Sequence, residues 1–229
     1  MYGSLKAKAL KANLELKKHD LVIFTWGNAS VREGGTVAIK PSGISYDVMR
    51  KKDIVVVDLD GYIIDGKLKP SVDLPTHLEL YRNYPEIGSI IHTHSPYATA
   101  WAQKGRSVPV YGTTHADYFL GEIPCGRLLW DEEMDEYEKN AGKVIIETLG
   151  ARDPLAVPGC ILQGHGVFAW GKDPETAVHN AVVLEEIARM AFYTEALPGK
   201  NVQLPEYIII KHYNRKHGKN ATYGQKTDH

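Results

Sequence analysis

The sequence predicts a single α/β domain of three layers, α/β/α, with a mainly antiparallel central sheet between helices. Short β-rich runs are joined by hairpin dipeptides, which argues for antiparallel pairing. Apolar stripes at helical spacing come before, between and after those runs, so helices must cover the sheet. No linker, repeat or low-complexity stretch divides the 229 residues, a length one domain can accommodate.

Leu5, Ala9, Ala12 and Leu16 give the opening segment one apolar stripe, an amphipathic first helix rather than a signal peptide. Extended pieces are expected at Val22–Phe24, Ala29–Arg32, Val37–Lys40, Ile54–Leu59 and Tyr62–Ile64, with turns at Gly34-Gly35 and Asp60-Gly61. A helix should run from Leu74 to Asn83, with Pro75 in its first turn. The strand ending in His92-Thr93-His94 follows, then a helix from Pro96 to Gln103 with Ser95 as its N-cap. Thr113–Tyr118 reads as a loop. A long helix is expected over Asp131–Leu149, its acidic first turn suiting the dipole and Gly150 ending it. Gly159–Trp170 reads as two strands bent about Gly164-His165-Gly166. Pro174–Ala196 and Leu204–His217 read as helices, followed by a polar, basic tail.

Hydrophobic content of 43% and charged content of 24% are ordinary for a soluble globular protein. The formal net charge of -1 gives no nucleic-acid footprint, and no apolar run approaches the roughly 20 residues of a membrane span. Two cysteines without a C-x-x-C pattern argue against a disulfide framework and for a reducing, cytoplasmic setting.

The chemistry concentrates in His92-Thr93-His94. On a strand, residues i and i+2 share a face, so two imidazoles stand side by side. His165, between two glycines, is the third candidate, and three neutral imidazoles with an open fourth position form a catalytic zinc arrangement. Taken alone, strand histidines are also ordinary core or surface residues. Asp73 is either the N-cap of its helix or a carboxylate serving the histidines; His77, four residues on, reads as structural. Trp26-Gly27-Asn28 and Lys40-Pro41-Ser42-Gly43 carry the parts of a small phosphate site, though ordinary turns use the same residues. Neither matches a P-loop or dinucleotide fingerprint. Lys211–His217 is a basic segment, either a solvated helix face or a clamp for a phosphorylated substrate. No G-x-S-x-G elbow is present.

Together these motifs resemble the class II aldolase/epimerase family over nearly the whole chain. Pro75-Thr76-His77, Phe168-Ala169-Trp170-Gly171 and Lys211-His212-Tyr213 carry the resemblance with the segments above, and the most specific motifs are Thr113-Thr114-His115-Ala116-Asp117-Tyr118 and the ending Tyr223-Gly224-Gln225. They favour the epimerase branch over the aldolases, with a sugar-phosphate aldolase of the L-fuculose 1-phosphate type as the alternative. The resemblance implies interconversion of L-ribulose 5-phosphate and D-xylulose 5-phosphate by cleavage and re-formation of the C3–C4 bond. It implies a zinc ion (manganese or cobalt being compatible) on His92, His94 and His165, with Asp73 as a fourth contact. Asp117 and Tyr223 would exchange protons. Gly27, Asn28, Lys40, Ser42, Gly43, Ser71 and Val72 would hold the substrate, Val72 standing where a second serine is expected. His212 and Arg215 would reach the active site of a neighbouring subunit of a homotetramer, as would Tyr223 in a C-terminal tail from about residue 218. Pentulose phosphate is the expected partner, with neither nucleic acid nor membrane.

Overall fold

The computed structural model describes residues 2–219 and 221–223, so Gly224 and Gln225 of the C-terminal motif lie outside the described residues. Helix α1 (Gly3–Lys18) leads into the meander β1 (Asn28–Glu33), β2 (Thr36–Ile39), β3 (Val55–Asp58) and β4 (Ile63–Asp65). Then follow α2 (Leu74–Asn83), β5 (Ser89–Thr93), α3 (Pro96–Lys104), the single turn α4 (Thr113–Ala116) and the short β6 (Cys125–Gly126). The chain closes with α5 (Tyr137–Leu149), β7 (Gly159–Leu162), β8 (Val167–Gly171), α6 (Pro174–Ala196) and α7 (Glu206–His217).

The eight strands form one sheet in the order β4-β3-β2-β1-β5-β8-β7-β6. Every pairing is antiparallel except β6 with β7. Side-chain alternation assigns the two faces. Val31, Ala38 and Val56 meet Leu5 and Ala9 of α1, while Val37, Ile39, Val55 and Val57 belong to the main core with Leu74 and Leu78 of α2. Thus α1, α3 and α6 cover one face and α2 and α5 the other, the expected three layers. The predicted stripe of α6 (Ala177, Val178, Ala181, Leu184, Ala188, Ala191) is buried throughout, and Asp173 caps its first turn by accepting from the Thr176 amide at 2.7 Å.

Several local expectations are corrected. Val22–Phe24 is not a strand; Phe24 takes a left-handed φ of 55° as the chain turns toward the sheet. Thr113–Ala116 is a helical turn, not a loop. The segment from Asp131 is not one helix: Asp131–Glu136 is a 3-10 turn, and α5 proper starts at Tyr137. The Trp130 amide donates to Glu133, and Arg127 pairs with that same carboxylate, stabilising the tighter turn. Ser95 makes no side-chain cap on α3. Instead Glu185 of α6, buried, accepts from the amides of Tyr97 at 2.8 Å and Ala98 at 2.9 Å.

Candidate active site

β5 lies at the centre of the sheet, between β1 and β8, and delivers His92 and His94 to one end of it. Their rings lie 4.9 Å apart, with Nε2 facing Nε2 at 3.1 Å. His165 arrives on the turn between β7 and β8, which closes through the Leu162 amide to the Gly166 carbonyl at 2.9 Å. Glycine is required at 166 because a Cβ there would stand 2.7 Å from the Thr93 carbonyl oxygen. That close approach places the His165 ring 4.8 Å from His92 and 5.2 Å from His94. One donor nitrogen from each of the three lies within 4.8 Å of the others.

Protonation follows from the contacts. The Nδ1 of His92 lies 2.9 Å from the Val167 carbonyl oxygen. A carbonyl only accepts, so Nδ1 carries the proton and Nε2 presents its lone pair to the other two rings. Burial, reinforced by His92 and His94, drives His165 down to about 3; burial and His92 also lower His94. At neutral pH His94 and His165 are therefore held as neutral imidazoles, with Nδ1 of His165 buried and unpartnered. Lone pairs that repel one another are satisfied by a shared cation, and this donor set fits a divalent transition metal.

Asp73 occupies the N-cap position of α2, but its carboxylate does not cap the helix. It accepts from the Asn28 amide at 2.7 Å and from the Ser71 hydroxyl at 3.3 Å, beside the three histidines and outside their tight cluster. Burial opposes its ionisation; the imidazoles of His92, His77 and His165 and the Asn28 donor outweigh that and lower its pKa.

These groups line a cavity of about 480 Å³, a volume within the range of small-molecule sites. Gly27, Asn28, Lys40, Ser42, Gly43, Ser71, Val72, Asp73, His92, His94 and His165 all contribute to its wall. Gly27 has φ 70°, and a Cβ would stand 2.7 Å from the His92 carbonyl oxygen, so the Trp26–Asn28 loop can lie against the histidine strand only as glycine. Lys40 is buried, donates to the Thr25 carbonyl at 3.1 Å, and lies over the Tyr46 ring. Burial lowers it to about 8, with Asp73 opposing. Val72 is exposed at the rim and offers no hydroxyl.

Tyr137 and Glu138 also line the cavity, and sequence reasoning missed both because it placed them inside a continuous helix. A signal was present: the apolar stripe of α5 begins only at Ala141, so the acidic run before it had no buried face to hold it in register.

The remaining expected residues form a second group that does not line this cavity. Asp117 accepts from Arg215 at 2.8 and 2.9 Å and pairs with Nδ1 of His212 at 3.1 Å. His212 and Arg215 thus stand with their own chain's Asp117. Tyr223 folds back on α7, its amide donating to the Arg215 carbonyl at 3.2 Å and its ring lying against Lys216. Cys125 and Cys160 are free, and burial pushes them up to about 11 and about 12, so neither supplies a thiolate nucleophile at neutral pH.

Among the described residues no helix is long and apolar enough to cross a membrane. The Class II Aldolase and Adducin N-terminal domain family matches residues 7–192. The chain is 55% identical over 226 residues to L-ribulose-5-phosphate 4-epimerase UlaF of Salmonella paratyphi A (strain ATCC 9150 / SARB42), covering 97% of this chain and 99% of that protein. Its structure is similar to that of an L-fuculose 1-phosphate aldolase, with a TM-score of 0.79, 25% identity, and coverage of 93% of this chain and 95% of that one. A second such aldolase, from Thermus thermophilus, gives a TM-score of 0.68 at 26% identity, covering 86% and 97% respectively.

Proposed function

This chain belongs to the class II aldolase family, and on that premise we propose that it is a metal-dependent epimerase interconverting L-ribulose 5-phosphate and D-xylulose 5-phosphate. The observation that carries this reading is the 55% identity, over 97% of the chain, to a protein named for that activity.

Direct deprotonation at C4 is unfavourable because that C–H is not adjacent to the carbonyl. Breaking C3–C4 leaves the electron pair as an enediolate and releases glycolaldehyde phosphate as the other fragment. A metal ion held by His92, His94 and His165, with Asp73 beside them, would supply Lewis-acid stabilisation of that charge; we propose zinc. The chain's own residues do the rest. Lys40, Ser42, Gly43, Asn28 and Ser71, with the Val72 backbone, would tether the phosphate while the aldehyde turns its other face. Asp117 would take the proton from the C4 hydroxyl on one face, and Tyr223 would return one to the C4 oxygen on the other.

Asp117, Tyr223, His212 and Arg215 would reach the cavity from a neighbouring copy in a homotetramer. Two features support this: they stand as a group away from their own chain's cavity, and α7 has no buried residue to tie it to its own domain. A phosphorylated substrate and free thiols suit the cytoplasm.

The test is to incubate metal-replete protein with L-ribulose 5-phosphate, alongside a chelated control. D-xylulose 5-phosphate formed only with metal is the expected result. Dihydroxyacetone and glycolaldehyde phosphate as the main products would make it an aldolase, and full turnover by Tyr223→Phe in both directions would remove Tyr223 from the mechanism.

A further inference from the structure

Beneath the histidine cluster, α2 and β1 are joined by a row of polar contacts, and its members beyond Asp73 and Asn28 have no part in the reaction outlined above. Asp73, His77 and Tyr81 recur every four residues on α2, one stripe of the helix, while Asn28, Ser30 and Arg32 alternate on one face of β1. Eight helical residues rise about 12 Å and four strand residues about 13 Å, so the two rows stay in step. Asp73 meets Asn28 at 2.7 Å. His77 Nδ1 meets the Ser30 hydroxyl at 2.7 Å, and that hydroxyl also meets the Tyr81 hydroxyl at 2.7 Å. Arg32 donates to the Tyr81 carbonyl at 2.8 Å.

Ser30, His77 and Tyr81 are essentially inaccessible to solvent. Nε2 of His77 is buried with no partner at all. An orphaned buried nitrogen costs stability, so an apolar side chain would serve packing better than histidine at this position. What the row does fix is the rotation of α2 about its axis, and hence the direction in which Asp73 points.

We propose that Ser30, His77 and Tyr81 are positioning residues for the metal centre, locking α2 against β1 so that Asp73 faces the three histidines. This rests on the metal-centre reading above and adds to it residues that touch neither metal nor substrate.

Cobalt(II) titration of the chelator-stripped full-length protein, read by its absorption, tests the idea together with thermal unfolding. Ser30→Ala and His77→Leu should each weaken cobalt binding about 10- to 100-fold, the range for residues that orient metal-site groups. His77→Asn, which can keep the contact to Ser30, should restore most of it. In an Asp73→Asn background the same substitutions should cost little further, because the group they orient has been changed. A purely structural role lowers the unfolding temperature without this dependence on Asp73, so undiminished weakening in the Asp73→Asn background overturns the proposal. So does wild-type cobalt affinity in Ser30→Ala, which removes one hydroxyl and keeps the test available where His77→Leu fails to fold. Wild-type protein that binds cobalt no better than His165→Ala would instead show that the metal-centre reading itself has failed.

Discussion

Glu185 offers a sharp test of how the histidine strand is anchored. α3 starts two residues after His94, and its first free backbone amides are satisfied not by Ser95 but by this carboxylate from α6. Removing it with Glu185→Ala deletes two charge-assisted hydrogen bonds, each worth about 1.5–3 kcal/mol. It also removes an anion from the positive end of a helix, a further contribution of up to about 2 kcal/mol in partly buried geometry. Relief from burying the carboxylate offsets several kcal/mol of that total. The net expected loss is about 3 kcal/mol, or about 6–12 °C in Tm for a chain of this length. Glu185→Gln keeps one acceptor but sets its amide donor against the second backbone N–H, so about 2 kcal/mol should be lost. Ser95→Ala should cost less than about 1 kcal/mol, since Ser95 only accepts a 3.3 Å bond from Thr93. Thermal unfolding at matched protein concentration measures all three. A shift below about 3 °C for Glu185→Ala, or a larger one for Ser95→Ala, would refute the reasoning.

Three other outcomes follow from the site. Lys40 loses its proton near pH 8 rather than 10.5, so KM for a phosphorylated substrate should rise as pH passes through about 8; a flat KM between pH 7 and 9 would remove Lys40 from binding. His77, His165 and His115 are held neutral, with values driven by burial to about 3, about 3 and about 4. The unfolded chain binds those protons first, so stability should be intact above about pH 6.5 and fall from there toward pH 4, as urea unfolding of the metal-free protein at stepped pH would show; pH-independent stability across that window would contradict it. Gly27→Ala must place a Cβ 2.7 Å from the His92 carbonyl oxygen at φ 70°, so it should lower both Tm and metal affinity, whereas Gly35→Ala, with open space around its Cβ, should leave metal affinity unchanged.

Much of the fold was legible because burial imposes periodicity. The α6 stripe from Ala177 to Ala191 could be read directly, as could the extended runs that became β2 and β3, since each side chain's environment depends on its own element's geometry. The elements misread or missed were short ones with too few residues to show a period: the acidic turn before Tyr137, the turn at Phe24, the helical turn Thr113–Ala116, and the strand Cys125–Gly126, whose pairing is set by β7.

The site divides along the same line. The spacing of His92 and His94 requires a shared face, and the glycines around His165 permit a close approach; these are local rules that the chain carries in itself. Which groups complete the cavity is a matter of distance through space. Asp73 could cap its helix or serve the histidines, and only the packing of α2 on β1 turns its carboxylate away from the helix end and onto Asn28 at 2.7 Å. Glu185 lies 87 residues and more from the amides it caps, and Asp117 nearly a hundred from Arg215. No local pattern encodes such pairings, because they are selected by the free energy of the assembled layers and not by the preferences of any one segment.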